Sequence, residues 1–263
     1  IRPRDWSSDV CSSDLASVPN GGYFLGLTGD HWMVEKDEEG NEIPGGRYIV
    51  DEATGLYAPT TQTTNVVGNR EPDFIGGLNN NLRYKNLNFS FLFDIRKGGD
   101  IYNGTDYYLT INGLSAKTLD RESVTVSGVS KTTGEPVSYT YEAGKTYTVG
   151  GASKSGEYMI QQYWGINGYG VNAYNFITNT NWLRLRSVNL SYDFTDLIGN
   201  RGFIKGLSAS IGGYNLLLWT NYKGMDPEVS VSGSGTGGSG SMGIDYCGVP
   251  ATRNVTFGLN ATF

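Results

Sequence analysis

The C-terminal stretch 254–263 constrains the fold more than any other part of the chain. Val255, Phe257, Leu259, Ala261 and Phe263 alternate without a break with Asn254, Thr256, Gly258, Asn260 and Thr262. Successive side chains of a strand point to opposite faces, so one face here is apolar and the other is small and polar. The pattern runs to the final residue, which is aromatic. Terminal residues of a water-soluble sandwich usually fray. An apolar face outward and a polar face inward over about 9–11 residues is what a strand crossing a bilayer in a β-barrel requires.

The same alternation recurs upstream. Phe74, Gly76, Leu78, Leu82 and Tyr84 share one face, and Gly77, Asn79, Asn81 and Arg83 share the other. After a turn at Lys85 and Asn86, Leu87, Phe89, Phe91, Phe93 and Ile95 alternate with Asn88, Ser90, Asp94 and Arg96. Tyr84, beside the turn, suits the aromatic girdle of a membrane interface. Val188, Leu190, Tyr192 and Phe194 form another apolar face, and Leu207, Ala209 and Ile211 alternate with Ser208, Ser210 and Gly212. Arg184 and Arg186 fall in phase with that apolar face, where charge at the bilayer midplane is costly. They are expected at the outer headgroup level, with a phase-shifting bulge as the alternative. The connections at 85–86 and 195–206 are short, whereas those at about 97–181 and 220–250 are long. One end of a membrane barrel carries short turns and the other long loops, which puts the long loops outside and Phe263 on the periplasmic side. The predicted class is all-β: antiparallel strands of a transmembrane outer-membrane β-barrel, partial, forming an open curved sheet on its own. A secreted glycan-binding β-sandwich is the alternative.

Composition supports a wet-lumen barrel. The hydrophobic fraction of 38%, glycine not counted, is read as low for a soluble domain, as expected where half of each strand faces a wet lumen. No apolar run approaches the roughly 18 residues of a membrane helix. A net charge of −6 and a pI near 4.9 argue against a nucleic-acid partner. The chain opens on Ile1 without a recognisable leader, from which a fragment of a longer precursor is expected.

Residues 30–72 read as a polar loop with short strands such as 47–50. The excursion 97–181 is rich in Gly, Ser, Thr and Tyr, with an inner hairpin expected between 137–141 and 145–149, turning at 142–144. Ser- and Gly-rich 232–241 has linker composition. His31 is the single histidine, which leaves no His-based triad or His-rich metal site. Standing in a polar loop, it is expected to be exposed. Acidic pairs, among them Asp226 with Glu228, could serve glycoside hydrolysis only if a cleft held them. Asp51-Glu-Ala-Thr-Gly55 lacks the ligand spacing of a calcium loop. Gly98-Gly99-Asp100 lacks the Lys of a phosphate loop. No catalytic residue, metal or cofactor is expected.

Several motifs, in this order, carry a family resemblance: Gly68-Asn69, Pro72-Asp73-Phe74, Gly98-Gly99-Asp100-Ile101-Tyr102-Asn103, Trp182-Leu-Arg-Leu-Arg-Ser-Val-Asn-Leu-Ser-Tyr192, Asn215-Leu-Leu-Leu-Trp-Thr-Asn-Tyr-Lys-Gly-Met-Asp-Pro-Glu228 and the last strand. Over about 20–263 the chain resembles the C-terminal part of SusC/RagA-type TonB-dependent transporters. The terminal Phe263, with Phe257 and Leu259 before it, resembles the C-terminal assembly signal of bacterial outer-membrane proteins. The resemblance implies a barrel of about 22 strands with an N-terminal plug and import of oligosaccharides or peptides. It also implies energy from TonB with ExbB and ExbD through the N-terminal part, a SusD-like lipoprotein partner, the barrel-assembly machinery and outer-membrane lipid. It places the chain in the bacterial outer membrane.

One segment has ligand-binding composition. Tyr163, Trp164, Asn167, Tyr169 and Asn175 combine aromatic rings with amides, which suits neutral polar ligands such as sugars. The competing reading is that these groups pack the loop onto itself.

Residues 4–15, Arg-Asp-Trp-Ser-Ser-Asp-Val-Cys-Ser-Ser-Asp-Leu, resemble an in-frame translation of a sequencing-library adapter. Residues 1–15 are therefore read as an artefact, and 16–263 as barrel. Cys11 drops out, and Cys247 stands alone. Re-sequencing the locus from genomic DNA is expected to show 4–15 missing; finding the segment encoded in place would overturn this reading.

Overall fold

A computed structural model describes residues 26–60, 66–69, 71–199, 202–229 and 243–263. The adapter-like segment with Cys11, the start of the apolar run at 23–25 and the linker-like 232–241 lie outside the described residues. In chain order the strands are β1 (Gly26–Thr28), β2 (Ile49–Asp51), β3 (Leu56–Tyr57), β4 (Val66–Asn69), β5 (Phe74–Tyr84), β6 (Leu87–Lys97), β7 (Asp100–Asn103), β8 (Ser123–Ser130), β9 (Pro136–Glu142) and β10 (Thr146–Val149). They continue with β11 (Ala152–Ser155), β12 (Ile177–Asn179), β13 (Trp182–Asp193), β14 (Gly206–Thr220), β15 (Ile244–Asp245) and β16 (Asn254–Thr262). Among the described residues three α-helices intervene: α1 (Gly104–Ile111), α2 (Gly156–Trp164) and the single turn α3 (Thr195–Ile198). Among the described residues no helix is long and apolar enough to cross a membrane.

The chain divides into two compact units. One comprises Arg70–Ile101, Thr178–Ser230 and Gly248–Phe263. It is a single antiparallel sheet in the order β16-β14-β13-β6-β5, open at both edges. Its register stacks the apolar residues into continuous rows. Leu82 lies opposite Phe89, then Leu190, Ile211 and Phe257. The next row outward is Tyr84, Leu87, Tyr192, Ala209 and Leu259. Nearer the centre run Asn80, Phe91, Val188, Gly213 and Val255, then Leu78, Phe93, Leu185 and Leu217. The opposite face carries Asn81, Ser90, Asn189, Gly212 and Thr256 in one row. All these elements follow from the period-two patterns, and the register follows from keeping those patterns aligned.

The apolar face is uncovered: Phe257 is 80% exposed, Leu259 76% and Leu82 55%. A sandwich would bury such a face against a second sheet, so the sandwich alternative fails. The largest apolar patch on a soluble monomer is about 300–600 Å², and five adjacent strands of large apolar side chains exceed it. From Phe74 to Tyr84 the strand rises about 34 Å at about 3.4 Å per residue. At a barrel tilt of about 35–45° that is about 24–28 Å of membrane normal, matching the roughly 25 Å apolar band of outer-membrane barrels. Aromatic residues mark both ends. Tyr192 and Phe194 have ring centroids 4.6 Å apart at the short-turn end, and Phe203 and Phe263 5.0 Å. Phe74 and Trp219 lie at the other end. There Gly98 and Gly99 take φ near +80°, a turn conformation that side chains disfavour.

The expected headgroup placement of Arg184 and Arg186 is corrected. Leu185 faces Phe93 and Ser187 faces Leu92, so Arg186 is an extra, unpaired residue against β6. Against β14 the same step leaves out Asn215 and Leu216, with Asn215 at φ 52°. The bulge shifts the phase by one residue. Leu183 and Leu185 thereby join the apolar face, and Arg184 turns to the polar one. On the lipid side each guanidinium near the midplane would have cost about 2–4 kcal/mol.

The other unit comprises Ile1–Asn69, Tyr102–Ile177 and Val231–Cys247. Its main sheet has the order β3-β2-β8-β9, with β2 and β8 parallel. Val50, Leu56, Val124, Val126, Tyr141, Val149, Met159 and Ile160 form its core. The expected inner hairpin is corrected here. The strands form where expected, but β9 pairs with β8 and β10 with β11. The Ala143 N–H donates to Glu122 O at 2.8 Å, which extends the β8–β9 ladder through the residue where the hairpin would turn. Burial of Val126 and Tyr141 rewards that pairing. His31 is buried rather than exposed, at 5%. Its Nε2 lies 3.0 Å from Glu42 Oε1, and its ring packs edge-on against Tyr174 at 5.3 Å. A carboxylate partner is what makes a buried imidazole tolerable. In the Asp51 turn, Oδ1 accepts the Ala53 N–H at 3.0 Å and Oδ2 pairs with Lys131 at 2.8 Å, so this carboxylate shapes the turn.

The two faces of β13 give a direct test. In the full-length protein, Val188→Lys, on the central apolar row, is expected to cost about 2–4 kcal/mol and to suppress barrel assembly. Asn189→Lys, on the opposite face, is expected to assemble nearly normally. The readout is the fraction of heat-modifiable protein in the outer membrane.

Candidate functional site

The aromatic and amide segment 163–175 begins on the last turn of α2. Ser155 caps that helix, its Oγ accepting the Tyr158 N–H at 3.2 Å. Met159 and Ile160 enter the core, and Tyr163 and Trp164 pack against it from above. Beyond the helix the chain folds back. Ring centroids lie 5.1 Å apart for Tyr163 and Trp164, and 5.0 Å for Trp164 and Tyr169. Tyr169 also meets Phe176 edge-on at 5.8 Å. Lys117 Nζ sits 5.3 Å from the ring centroids of both Tyr169 and Phe176 and 2.6 Å from Asp106 Oδ2.

The five sequence-predicted residues therefore divide. Tyr163, Trp164 and Tyr169 are brought together. The Asn175 amide donates to Tyr169 O at 2.8 Å, a bond that holds the loop, and Asn167 projects into solvent. Sequence reading missed Trp32. Its ring stands 6.0 Å from Tyr169 and 4.3 Å from Tyr57, and its buried Nε1 donates to Gly168 O at 2.9 Å. No local signal ties Trp32 to a loop 136 residues away. Burial pushes the Tyr163 phenol up to about 12, with Tyr57 and Tyr169 adding to it. Burial also raises Tyr169, helped by the charge of Asp106. Both phenols thus stay neutral at physiological pH and act as hydrogen-bonding, not anionic, groups.

A second constellation lies on the polar face of the large sheet. Arg184, 2% exposed, donates from Nη2 to Asp226 Oδ1, and its Nε lies 2.7 Å from Glu228 Oε2. Arg186 donates from Nε to Asp94 Oδ2 at 2.7 Å and, fork to fork, to both Glu228 oxygens at 2.9 and 2.6 Å. Asp226 Oδ2 further accepts the Ala251 N–H at 3.1 Å. The Asp226 and Glu228 carboxylates weighed above for hydrolysis are therefore held by arginines. They fix the segment after β14 to the strand face. The Trp-Leu-Arg-Leu-Arg and Met-Asp-Pro-Glu stretches held the signal, but their pairing across 42 residues depends on the bulge.

An open antiparallel sheet with an apolar outer face, aromatic ends and a polar, ion-paired inner face defines part of an outer-membrane β-barrel. No family model matches the chain. Among curated proteins it is similar to TonB-dependent receptor P26 of Formosa agariphila, 29% identical over 94% of this chain and 23% of the relative. It is likewise similar to TonB-dependent receptor P39 of the same organism, 26% identical over 88% of this chain and 20% of the relative. Among solved structures, the RagAB peptide importer in its open-open state matches with a TM-score of 0.51 and 17% identity, over 90% of this chain and 22% of that one. The likeness to TonB-dependent receptors thus runs through most of the chain, and its fold is that of the barrel portion of the RagAB transporter. The chain spans between 20% and 23% of the length of these curated relatives.

Asp226→Ala would strip the buried Arg184 guanidinium of one of its two carboxylate partners, leaving Glu228 alone, at an expected cost of up to about 3–5 kcal/mol. Replacing both partners with apolar residues, Arg184→Met with Asp226→Leu, is expected to cost less than the single change. Urea midpoints for loss of the folded gel form of the full-length protein give the comparison.

Proposed function

We propose that the chain is the C-terminal barrel portion of a TonB-dependent transporter in the bacterial outer membrane. In this reading it imports oligosaccharides or peptides together with a SusD-like lipoprotein. The energy comes from TonB, ExbB and ExbD through an N-terminal region outside these 263 residues. The observation that carries the reading is the predominantly apolar face that continues across β5, β6, β13, β14 and β16. The names of the curated relatives support it. The role is transport rather than catalysis.

Within this reading the connections at about 97–181 and 220–250 face outside, and Tyr163, Trp164, Asn167, Tyr169 and Asn175 contribute to substrate contact. Phe257, Leu259 and Phe263 form the signal read by the barrel-assembly machinery. Phe263 follows β16, whose Thr262 pairs with Gly206, and its ring reaches Phe203. In the full-length protein, Phe263→Ser is expected to reduce heat-modifiable barrel in the outer-membrane fraction several-fold, while Thr262→Ser leaves it unchanged. Equal assembly of the two variants would remove the signal role. A protein found wholly in the soluble fraction would remove the transporter reading itself.

A further inference from the structure

The central row of the apolar face contains an amide. Asn80 stands there opposite Phe91, with Leu78 and Leu82 before and after it on the same face of β5. It lies six residues from Phe74 and four from Tyr84, inside the apolar band rather than at either interface. Its side chain is half-buried, and its amide makes no hydrogen bond among the described residues. The Phe and Leu side chains around it offer neither a donor nor an acceptor. An amide without a partner is costly in hydrocarbon.

A partner has to come from beyond β5. That strand is bonded to β6 on one side and is an edge of the sheet on the other. The hydrogen-bond phase defines what meets Asn80 at that edge. Asn86 O accepts the Asp193 N–H at 2.9 Å, so Asn86 turns its backbone groups toward β13. Backbone groups of an antiparallel strand alternate sides with each residue, so Leu87, Phe89 and Phe91 turn theirs toward β5. Asn80, opposite Phe91, turns its own toward β6. On the free side Asn80 therefore takes the non-hydrogen-bonded position. There paired residues approach most closely, at about 4.5 Å between Cα atoms. Asn79 and Asn81, on either side of it, present the free backbone groups.

We propose that the strand completing the barrel beside β5 carries an amide or hydroxyl side chain on its outer face, directly opposite Asn80. The two side chains pair within the hydrocarbon and lock the register of that strand. A slip by one residue would turn the apolar set inward, but a slip by two keeps it outward, so alternation alone does not exclude the second. Such a slip parts the polar pair and leaves both groups without partners. A single polar residue at a core position fixes register in coiled coils by the same means. The inference rests on the barrel reading for the existence of the strand. Free backbone groups along β5 have to be matched in lipid, and whichever strand matches them brings one side chain opposite Asn80. A separate membrane protein touching this face from outside would leave that edge open.

The test compares Asn80→Leu with Asn80→Thr in the full-length protein, by the temperature at which the folded gel form is lost. Asn is disfavoured in strands and in hydrocarbon, so an Asn80 that merely faced lipid would make Asn80→Leu the more stable protein. The expected result is the reverse. Asn80→Leu lowers the temperature by a few degrees, and Asn80→Thr, which keeps a hydroxyl, lowers it less. An unchanged or raised temperature for Asn80→Leu overturns the proposal. Should that variant fail to assemble, Asn80→Cys combined with cysteines at outward positions of the adjoining strand decides the matter, since directly opposed residues lie within disulfide range. The strongest cross-link is expected within one polypeptide, at a position where the unsubstituted protein has Asn, Gln, Ser or Thr. A strongest cross-link at an aliphatic position, or between two polypeptides, overturns the lock. The barrel reading fails separately, if the unsubstituted protein shows no heat-modifiable form.

Discussion

Backbone amides within hydrocarbon have no water to bond, and each one left without a partner costs several kcal/mol. That constraint governs the large sheet. β6, β13 and β14 are paired on both sides, while β5 and β16 are edges. Five strands are fewer than the roughly eight of the smallest barrels, so closure in lipid demands further strands beside β5 and β16. Long, regular strands follow from the same demand: a break in the ladder within the apolar band would strand donors and acceptors where nothing replaces them.

The one break that does occur lies where it is useful. The bulge at Arg186 sits toward the end of β13 that leads to the long connections, and it changes which face each residue serves. Above it the strand contributes guanidiniums to the polar side; below it the strand contributes Val188, Leu190 and Tyr192 to the lipid side. Two arginines and three carboxylates then form a connected set, with Arg184 and Asp226 almost without exposure. Such a set contributes mainly by fixing geometry, since desolvation offsets much of its Coulombic attraction. What it fixes is the start of the segment after β14, held against the strand face.

The second unit obeys different rules. Its strands are short, and its sheet mixes parallel and antiparallel pairs. Its core is assembled from residues as far apart as Val50 and Ile160. Tyrosines perform much of this packing. Tyr141 is buried, and its hydroxyl donates to Gly55 O at 2.9 Å. Tyr147 accepts the Glu142 N–H at 2.8 Å. A phenol fills apolar volume and still satisfies a buried backbone group, which lets a Gly-, Ser- and Thr-rich connection complete a core built on aliphatic residues.

Sequence alone determined the strands of the membrane sheet, their faces and their short turns, because a period of two with one apolar side has a single solution in lipid. It also carried the likeness to TonB-dependent receptors, through motifs spread along the chain. Tertiary structure decided the rest. Nothing local distinguishes a bulge at Arg186 from an unbroken strand; Asp94, Asp226 and Glu228 had to be brought near before the charged phase could win. Nothing local buries His31 or pairs β9 with β8 rather than β10. Those outcomes depend on Glu42, Tyr174 and the Val50 core, each supplied by another part of the chain. The candidate binding groups follow the same division. The aromatic and amide composition of 163–175 was legible, whereas the approach of Trp32 to Tyr169 exists only once distant parts of the chain converge.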